Sequence, residues 1–305
     1  MTEENKAIFS LNDEYATTRR VTCLPPIIIN HSEDKIQTQL FLPVTNTIKS
    51  EGGLRTKGYF KKNSIDNPLI TVITVVFNGA NYLEKTILSV ITQSYDNIEY
   101  IIIDGGSTDN SINIISQYEN KIDYWISEND TGIYDAMNKG VKFSNQSSYL
   151  YFLNSGDYVF YSDVFARLSK LFDGKNIVFG KIQYDTGEIV KSSLSVNRYL
   201  HNTIHHQSIF YPSQIIRHIG FDCSYRIMAD YKLNIQIYNT HKYRYISDCS
   251  IIALCTENGL SRSNFNLAKS EINKVKYQMF GEFFGWILAI IFNIKFFIWK
   301  FVKNK

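Results

Sequence analysis

Residues 68–79 read PLITVITVVFNG, residues 98–111 read IEYIIIDGGSTDNS, and residues 149–159 read YLYFLNSGDYV. Each is a short apolar, β-branched run that stops abruptly at polar residues and glycine. A buried parallel strand has this pattern, with its carboxyl end opening into a loop. Segments with helical spacing lie between the runs. Alternating strand and helix signals predict an open, mixed, mainly parallel α/β sheet flanked by helices. In such sheets the ligand sits beyond the carboxyl ends of the strands. Asn78, Asp104 and Asp157 all fall at such ends.

Working outward, the first strand is expected over 69–77. Asn81 and Glu84 have capping-box spacing for the next helix, with Leu83, Ile87, Leu88 and Ile91 on its apolar face. The second strand covers 98–103. Ser107, Thr108 and Asp109 are placed to cap a helix that buries Ile112 and Ile115. A short strand follows at 122–127, a helix at 133–143, a strand at 148–153 and a helix near 163–171. Beyond Phe172 the pattern predicts two strands joined by a turn at Thr186–Gly187. A further strand over 205–212 carries His205 and His206 at its head. A helix over 212–219 follows, then one with Asp230 at its mouth.

The chain has 305 residues, enough for one large α/β domain with extensions. Its net charge of +3 is too small to argue for nucleic acid, and no such partner is expected. The four cysteines, Cys23, Cys223, Cys249 and Cys255, have no CxxC spacing, which favours reduced thiols in a cytoplasmic setting. MTEENKAIFS lacks the pattern of a cleaved leader. Residues 1–67 are expected as an N-terminal extension packing on a main domain at 68–265. Arg55 and Lys57 in that arm have a sharper reading as contacts to an anionic ligand or a membrane, set aside in favour of packing. Residues 266–305 form an apolar C-terminal helical segment. Its longest uncharged run, 283–294, is shorter than the ~20 residues that span a bilayer. With Trp286, Trp299, Lys295, Lys300 and Lys303, it predicts an interfacial helix on a membrane surface. The alternative is a buried helix or a dimer contact.

No GxGxxG follows the first strand and no GxxxxGK[ST] is present, so neither a dinucleotide fold nor a P-loop is supported. A single Asp at a strand end is most often a cap. Three polar termini on one sheet edge point to a nucleotide site.

Taken together and in order, VVFN, IDGGSTDNS, GIYDAMNKG and FLNSGD resemble the family 2 inverting glycosyltransferases of the GT-A fold, bacterial enzymes that build capsule, O-antigen or exopolysaccharide. The resemblance covers about residues 68–259. It implies a nucleotide-sugar donor, a glycan or lipid-linked acceptor, and a Mg²⁺ or Mn²⁺ cofactor. It also implies a cytoplasmic enzyme, peripheral on the inner face of the plasma membrane. Val76, Phe77 and Asn78 match the strand end that lines the base, and Asp104 the acid that meets uracil or ribose. Asp135, Asn138 and Lys139 match the helix beside the diphosphate and donor sugar. FLNSGD stands where the family carries its metal-binding DxD. Asn154 and Gly156 replace the two acids, Ser155 lies between them, and Asp157 is the carboxylate left for the metal. Asp230 in MADYKLN matches the catalytic base, with a plain helix cap as the alternative. The resemblance also allows a late His on the metal. One strand presents only one of His205 and His206 to a given face, so His206 is kept as a weak metal candidate, with a hydrogen-bonded structural His as the favoured alternative. Two other readings stay open. A sugar-nucleotide pyrophosphorylase needs a Gly-rich basic loop after the first strand, where this chain has VVFNGANYLE. A non-catalytic binding module is the other.

Overall fold

The computed structural model describes residues 9–10, 21–22, 35–37, 48–57, 59–257, 259 and 263–303, with side chains described over 48–56, 61–257, 259 and 263–296. The side chains of Lys57, Trp299, Lys300 and Lys303 therefore lie outside the described residues, as does Cys23. Cys223 and Cys249 are exposed free thiols, and Cys255 is a buried one.

The strands are β1 (Phe9–Ser10), β2 (Val21–Thr22), β3 (Lys35–Gln37), β4 (Ser50–Gly52), β5 (Tyr59–Lys61), β6 (Ile70–Val76), β7 (Ile98–Asp104), β8 (Tyr124–Ser127), β9 (Tyr149–Phe152), β10 (Tyr158–Val159), β11 (Ile177–Tyr184), β12 (Ile189–Val190), β13 (Ile209–Pro212) and β14 (Tyr245–Cys255). The helices are α1 (Ala80–Ile91), α2 (Ser111–Gln117), α3 (Ile133–Phe143), α4 (Val164–Leu168), α5 (Ser213–Ile219), α6 (Ala229–Asn239) and α7 (Phe265–Lys303). A ten-stranded sheet runs β10-β14-β11-β13-β9-β6-β7-β8-β4, with β12 on β11. Strands β9, β6, β7 and β8 are mutually parallel and form its centre. Strand β4 closes one edge antiparallel to β8.

Every residue of β6 and β7 is buried, because helices cover both faces. The period-2 pleat sorts their side chains. Ile73, Val75, Ile101 and Ile103 join the core under α3, α5, α6 and α7. Val72, Val76, Tyr100 and Ile102 join the core under α1, α2 and α4. Each strand therefore reads as an unbroken apolar run.

Several local expectations are corrected. Leu88 is exposed, and Val90 takes its place on the buried face of α1. The Asn81–Glu84 capping box does not form. Glu84 instead accepts the Tyr118 hydroxyl at 2.7 Å. The first N–H of α1, from Ala80, goes to Asp109 Oδ2 at 3.0 Å, across from the second loop. Residues 206–208 form a 3-10 turn, and the strand starts only at Ile209. Strand β14, parallel to β11, was not foreseen at all.

Arg55 does not take the sharper reading. It is buried, its Nη1 donates to Phe143 O at 2.5 Å, and its Nη2 pairs with buried Glu99. It holds the arm to the sheet instead of facing a ligand.

The C-terminal segment is long and apolar enough to cross a membrane by composition, with a mean hydropathy of 1.5 over its most apolar window. It is not one straight rod. Gly281, with φ +74°, breaks the helical path. Residues 282–296 then fold back antiparallel on residues 265–280. Phe265 stacks on Phe296 at 4.5 Å. A Cβ at Gly285 would meet Tyr277 Cα at 2.8 Å, so only glycine allows this approach. Ala268, Ile272 and Val275 of the first segment belong to the main core.

Candidate active site

The carboxyl ends of the central strands align in register: Val76 opposite Asp104, and Asp104 opposite Ser127. Beyond them three loops pack together. Asn78 adopts φ +50°, a left-handed turn that Asn tolerates. Its Oδ1 accepts the Thr108 N–H at 2.9 Å, and its own N–H goes to Ser107 Oγ at 2.8 Å. Loop 104–111 is thereby zipped to the end of β6. Val76 is buried in the core, whereas Phe77 is 64% exposed at the edge of this surface.

Gly106 has φ +87°, where a side chain would be strained, and both glycines lie against side chains of the loop before α3. A Cβ on Gly105 would lie 2.4 Å from Asp130 Oδ2, and one on Gly106 would lie 2.4 Å from Asn129 Oδ1. Asp130 thus borders the site, a position the sequence reading missed. Burial pushes its carboxyl above the usual range, against the Gly132 N–H that lowers it. The signal was in ENDTG, directly before α3.

Asp104 is fully buried. Its Oδ2 accepts the N–H groups of Gly106 and Ser107, each at 2.9 Å, and the Ser127 hydroxyl at 2.7 Å. Its Oδ1 has no partner. Two more buried polar atoms at this edge are also unpartnered: Asn154 Oδ1 and Ser155 Oγ. Buried polar groups are normally satisfied, so three orphans on one strand edge mark where a polar ligand would bind.

Asp135 accepts the Thr131 N–H at 3.0 Å. Lys139 donates to Asn129 O at 2.8 Å and lies 3.5 Å from Glu128. Asn138 binds the backbone of Phe221 through both amide atoms, at 2.8 and 2.9 Å. These three α3 residues hold the loops that frame the site.

Asp157 is buried, and its Oδ2 accepts Gln207 Nε2 at 2.8 Å. Burial raises its carboxyl above the usual range, although the bonds from Gln207, Thr256 and Cys255 oppose this. Thr256 and Cys255 lie at the end of the unforeseen β14.

Asp230 is 4% exposed. The alternative of a plain cap does not hold, because the N-cap of α6 is Met228 and Asp230 lies within the first turn. Its Oδ1 accepts the Tyr231 N–H at 2.7 Å. Its Oδ2 accepts Asn202 Nδ2 at 3.0 Å and lies 3.2 Å from His206 Nδ1. Burial would raise its carboxyl. The hydrogen bond and charge of His206, the charge of His205 and the Tyr231 N–H outweigh burial and hold it below the usual range. The backbone before it is also fixed. Glu271 on α7 accepts the N–H groups of Arg226, Ile227 and Met228 at 2.7, 2.9 and 2.9 Å. Tyr134 donates its hydroxyl to Ile227 O.

A divalent cation has few donors here. Among the described residues no group of three or more His, Cys, Asp or Glu could hold one. Both ring nitrogens of His206 are engaged, with Asp230 and with Asn154 Nδ2 at 2.9 Å. The remaining set is the Asp157 carboxylate and the unpartnered Asn154 Oδ1. Hard cations take oxygen ligands, and Mg²⁺ is commonly bound by one or two carboxylates plus substrate phosphates. The residues fit a cation shared with a diphosphate.

The model of the glycosyl transferase family 2 domain matches residues 71–232. The chain belongs to this family. An uncharacterised glycosyltransferase of Mycobacterium tuberculosis is 35% identical over 174 residues, which cover 53% of this chain and 66% of that one. A PGL/p-HBAD biosynthesis glycosyltransferase of Mycobacterium bovis is 28% identical over 181 residues, covering 56% and 70%. With the first of these relatives the family 2 chain therefore shares just under two thirds of the relative's length. Among solved structures, S. aureus TarS 1-349 in complex with UDP-GlcNAc superposes with a TM-score of 0.56 at 17% identity, over 73% of this chain and 71% of that one. The mannosyltransferase PcManGT of Pyrobaculum calidifontis, in complex with GDP-Man and Mn²⁺, gives 0.55 at 15% identity, over 71% and 65%. At these identities the likeness establishes the shared GT-A fold.

Proposed function

We propose that this family 2 chain is an inverting glycosyltransferase. It moves a hexosyl or N-acetylhexosaminyl group from a nucleotide sugar, a UDP-sugar, to a hydroxyl of a glycan or lipid-linked acceptor in bacterial surface polysaccharide synthesis. The observation that carries the reading is the row of three unpartnered buried polar atoms, Asp104 Oδ1, Asn154 Oδ1 and Ser155 Oγ, at the carboxyl ends of β7 and β9. A donor spread along this edge supplies a partner for each. Asp104 meets the ribose or base, with exposed Phe77 beside it. Ser155 Oγ donates to the diphosphate, and Asn154 Oδ1 accepts from a hydroxyl of the donor or faces a cation held beside the diphosphate. The UDP-GlcNAc bound to TarS supports a donor of this kind.

The chemistry follows from Asp230. Held below the usual carboxylate range, it is ionised at neutral pH and ready to take a proton. It deprotonates the acceptor hydroxyl. That oxygen forms the new bond at the anomeric carbon, on the face opposite the nucleoside diphosphate. The diphosphate leaves with the electron pair of the broken C–O bond, and the centre inverts. Asp157 and Asn154 Oδ1 would hold a Mg²⁺ or Mn²⁺ ion, and the chemistry it would supply is neutralisation of the leaving group's charge. The Mn²⁺ in the PcManGT complex supports such an ion.

Residues 282–296 turn an apolar face outward, including Phe283 (68% exposed) and Trp286 (55%). This supports a peripheral enzyme on the inner face of the plasma membrane, where a lipid-linked acceptor is presented.

The deciding experiment is Asp230→Asn. Nucleotide-sugar turnover falls by about 10²-fold or more, while UDP affinity by calorimetry hardly changes and melting curves show the variant folded. Near-normal turnover by this variant would remove Asp230 as the base.

A further inference from the structure

His206 and Gln207 are consecutive residues of one 3-10 turn, and each binds a different carboxylate of the site. His206 Nδ1 meets Asp230 Oδ2 at 3.2 Å, and Gln207 Nε2 donates to Asp157 Oδ2 at 2.8 Å. On a strand these neighbours would face opposite ways. The turn removes that restriction, since 3-10 geometry rotates successive side chains by only about 120°.

The third contact fixes the ring. His206 Nε2 lies 2.9 Å from Asn154 Nδ2, and an amide NH₂ only donates. Nε2 is therefore the acceptor, and Nδ1 carries the proton given to Asp230. One assignment of the ring and the amide, made from these partners, satisfies both bonds. By taking the Asn154 NH₂, the ring also decides which way the amide faces, and Asn154 Oδ1 is left as the unpartnered oxygen. The turn is anchored from behind. Tyr151 donates its hydroxyl to Gln207 O at 2.9 Å, and buried Ser208 bonds Ser192 Oγ at 3.0 Å.

We propose that the His206–Gln207 turn is the positioning element of this site: His206 orients both Asp230 and the Asn154 amide, and Gln207 orients Asp157. This rests on the reading of Asp230 as base. Asp230 and Asp157 lie on separate elements, and the turn couples their geometry. His206 is a positioning residue and not a metal ligand.

The two nitrogens of His206 can be separated by substitution. An Asn amide reaches the Nδ1 position, and a Gln amide reaches the Nε2 position. His206→Asn keeps the bond to Asp230 and releases Asn154. Its kcat for donor turnover stays within about threefold, and its UDP affinity, measured by calorimetry in Mn²⁺, drops about tenfold. His206→Gln does the reverse: UDP affinity is kept and kcat falls about 10²-fold, the scale of a misplaced reacting group. Gln207→Ala weakens UDP binding in Mn²⁺, and Gln207→Asn does not restore it because the side chain is one methylene short. Melting curves confirm that each variant is folded. The proposal is overturned if His206→Asn and His206→Gln lose the same property. It is also overturned if His206→Ala changes only the Mn²⁺ dependence, as a metal ligand would. Asp230→Asn run alongside separates the two readings. If it stays active, the base assignment fails. If it is inactive while every His206 variant is near normal, only the positioning role fails.

Discussion

Glu271 Oε2 accepts the backbone N–H of Met228 at 2.9 Å, so a carboxylate on the C-terminal helix closes the mouth of the helix that carries Asp230. The same group takes the N–H of Ile227 at 2.9 Å and of Arg226 at 2.7 Å. Met228 is the N-cap of that helix, whose first N–H groups have no partners within it, and a negative charge there also suits the helix dipole.

Glu271→Ala leaves three donors without their acceptor, each costing about 1–3 kcal/mol where water cannot replace it. The expected loss in denaturant unfolding is about 3 kcal/mol or more. Glu271→Gln keeps an acceptor oxygen and loses less. Asp230 is two residues beyond Met228, so in folded Glu271→Gln turnover falls more than UDP affinity does. An unfolding free energy unchanged by Glu271→Ala would show that the clamp contributes nothing.

Lys276 gives a pH signature. It is buried on residues 265–280, with Nζ 3.2 Å from Asn273 Oδ1 and 4.0 Å from the Phe292 ring centre. Burial, with the Lys269 charge adding to it, pushes its ammonium down to about 7. Unfolded lysine titrates near ~10.4. Between these values the unfolded chain holds a proton that the folded chain does not, so this residue's contribution makes stability rise with pH, by up to roughly 1.4 kcal/mol per pH unit. Lys276→Met removes that slope. The check is the difference in unfolding free energy between wild type and Lys276→Met at pH 7, 8 and 9. A constant difference would mean that Lys276 keeps its charge in the fold.

The outward face of residues 282–296 is a separate test. Phe283, Phe284, Trp286, Ile290, Ile291 and Ile294 are exposed there, while Ala289 and Phe292 face inward. Truncation of the whole segment is a poor probe, because it would also uncover Lys276. The triple change Phe283→Ser, Phe284→Ser and Trp286→Ser removes only exposed side chains and leaves the melting temperature nearly unchanged. Each fully buried aromatic contributes about 1.5–3 kcal/mol. Cosedimentation with anionic vesicles should therefore fall by at least tenfold. Equal cosedimentation would assign this face to another contact.

What the sequence revealed depended on whether the cause was local. Strands β6 and β7 were legible because burial on both faces leaves an unbroken apolar run. Asp104, Asp157 and Asp230 were legible as ends of such elements. The cap on α1 was not, because Asp109 reaches it from another loop and the local three-residue rule cannot see that bond. Strand β14 alternates exposed and half-buried residues over residues 247–250, and its ladder to β11 shifts register twice, which blurs the period. At Gly281 only the backbone angle distinguishes a reversal from a glycine inside an apolar helix. The role of His206 was hidden for a similar reason, since its partners come from β9 and α6 and its own backbone turns where a strand was expected.

Arg55 supplies the last prediction, and it separates structure from ligand binding. Arg55 and Glu99 are each 1% exposed and paired with each other. Arg55 also donates to Phe143 O. The other oxygen of Glu99 accepts the Thr71 hydroxyl at 2.7 Å and the Asn145 N–H at 3.0 Å. The pair thus ties the N-terminal arm to β6, β7 and the segment after α3. Removing one partner of a buried pair strands the other, at a cost of about 3–5 kcal/mol. Arg55→Ala should lower the melting temperature by roughly ten degrees. Glu99 lies near the start of β7 and Asp104 at its end, about 17 Å away at ~3.3 Å per residue. Below its melting point the Arg55→Ala variant should therefore keep UDP affinity and turnover within about threefold. Adding Glu99→Gln removes the stranded charge and recovers part of the stability. An unchanged melting temperature with a raised donor KM would reverse the assignment and return Arg55 to the role of a contact to an anionic ligand.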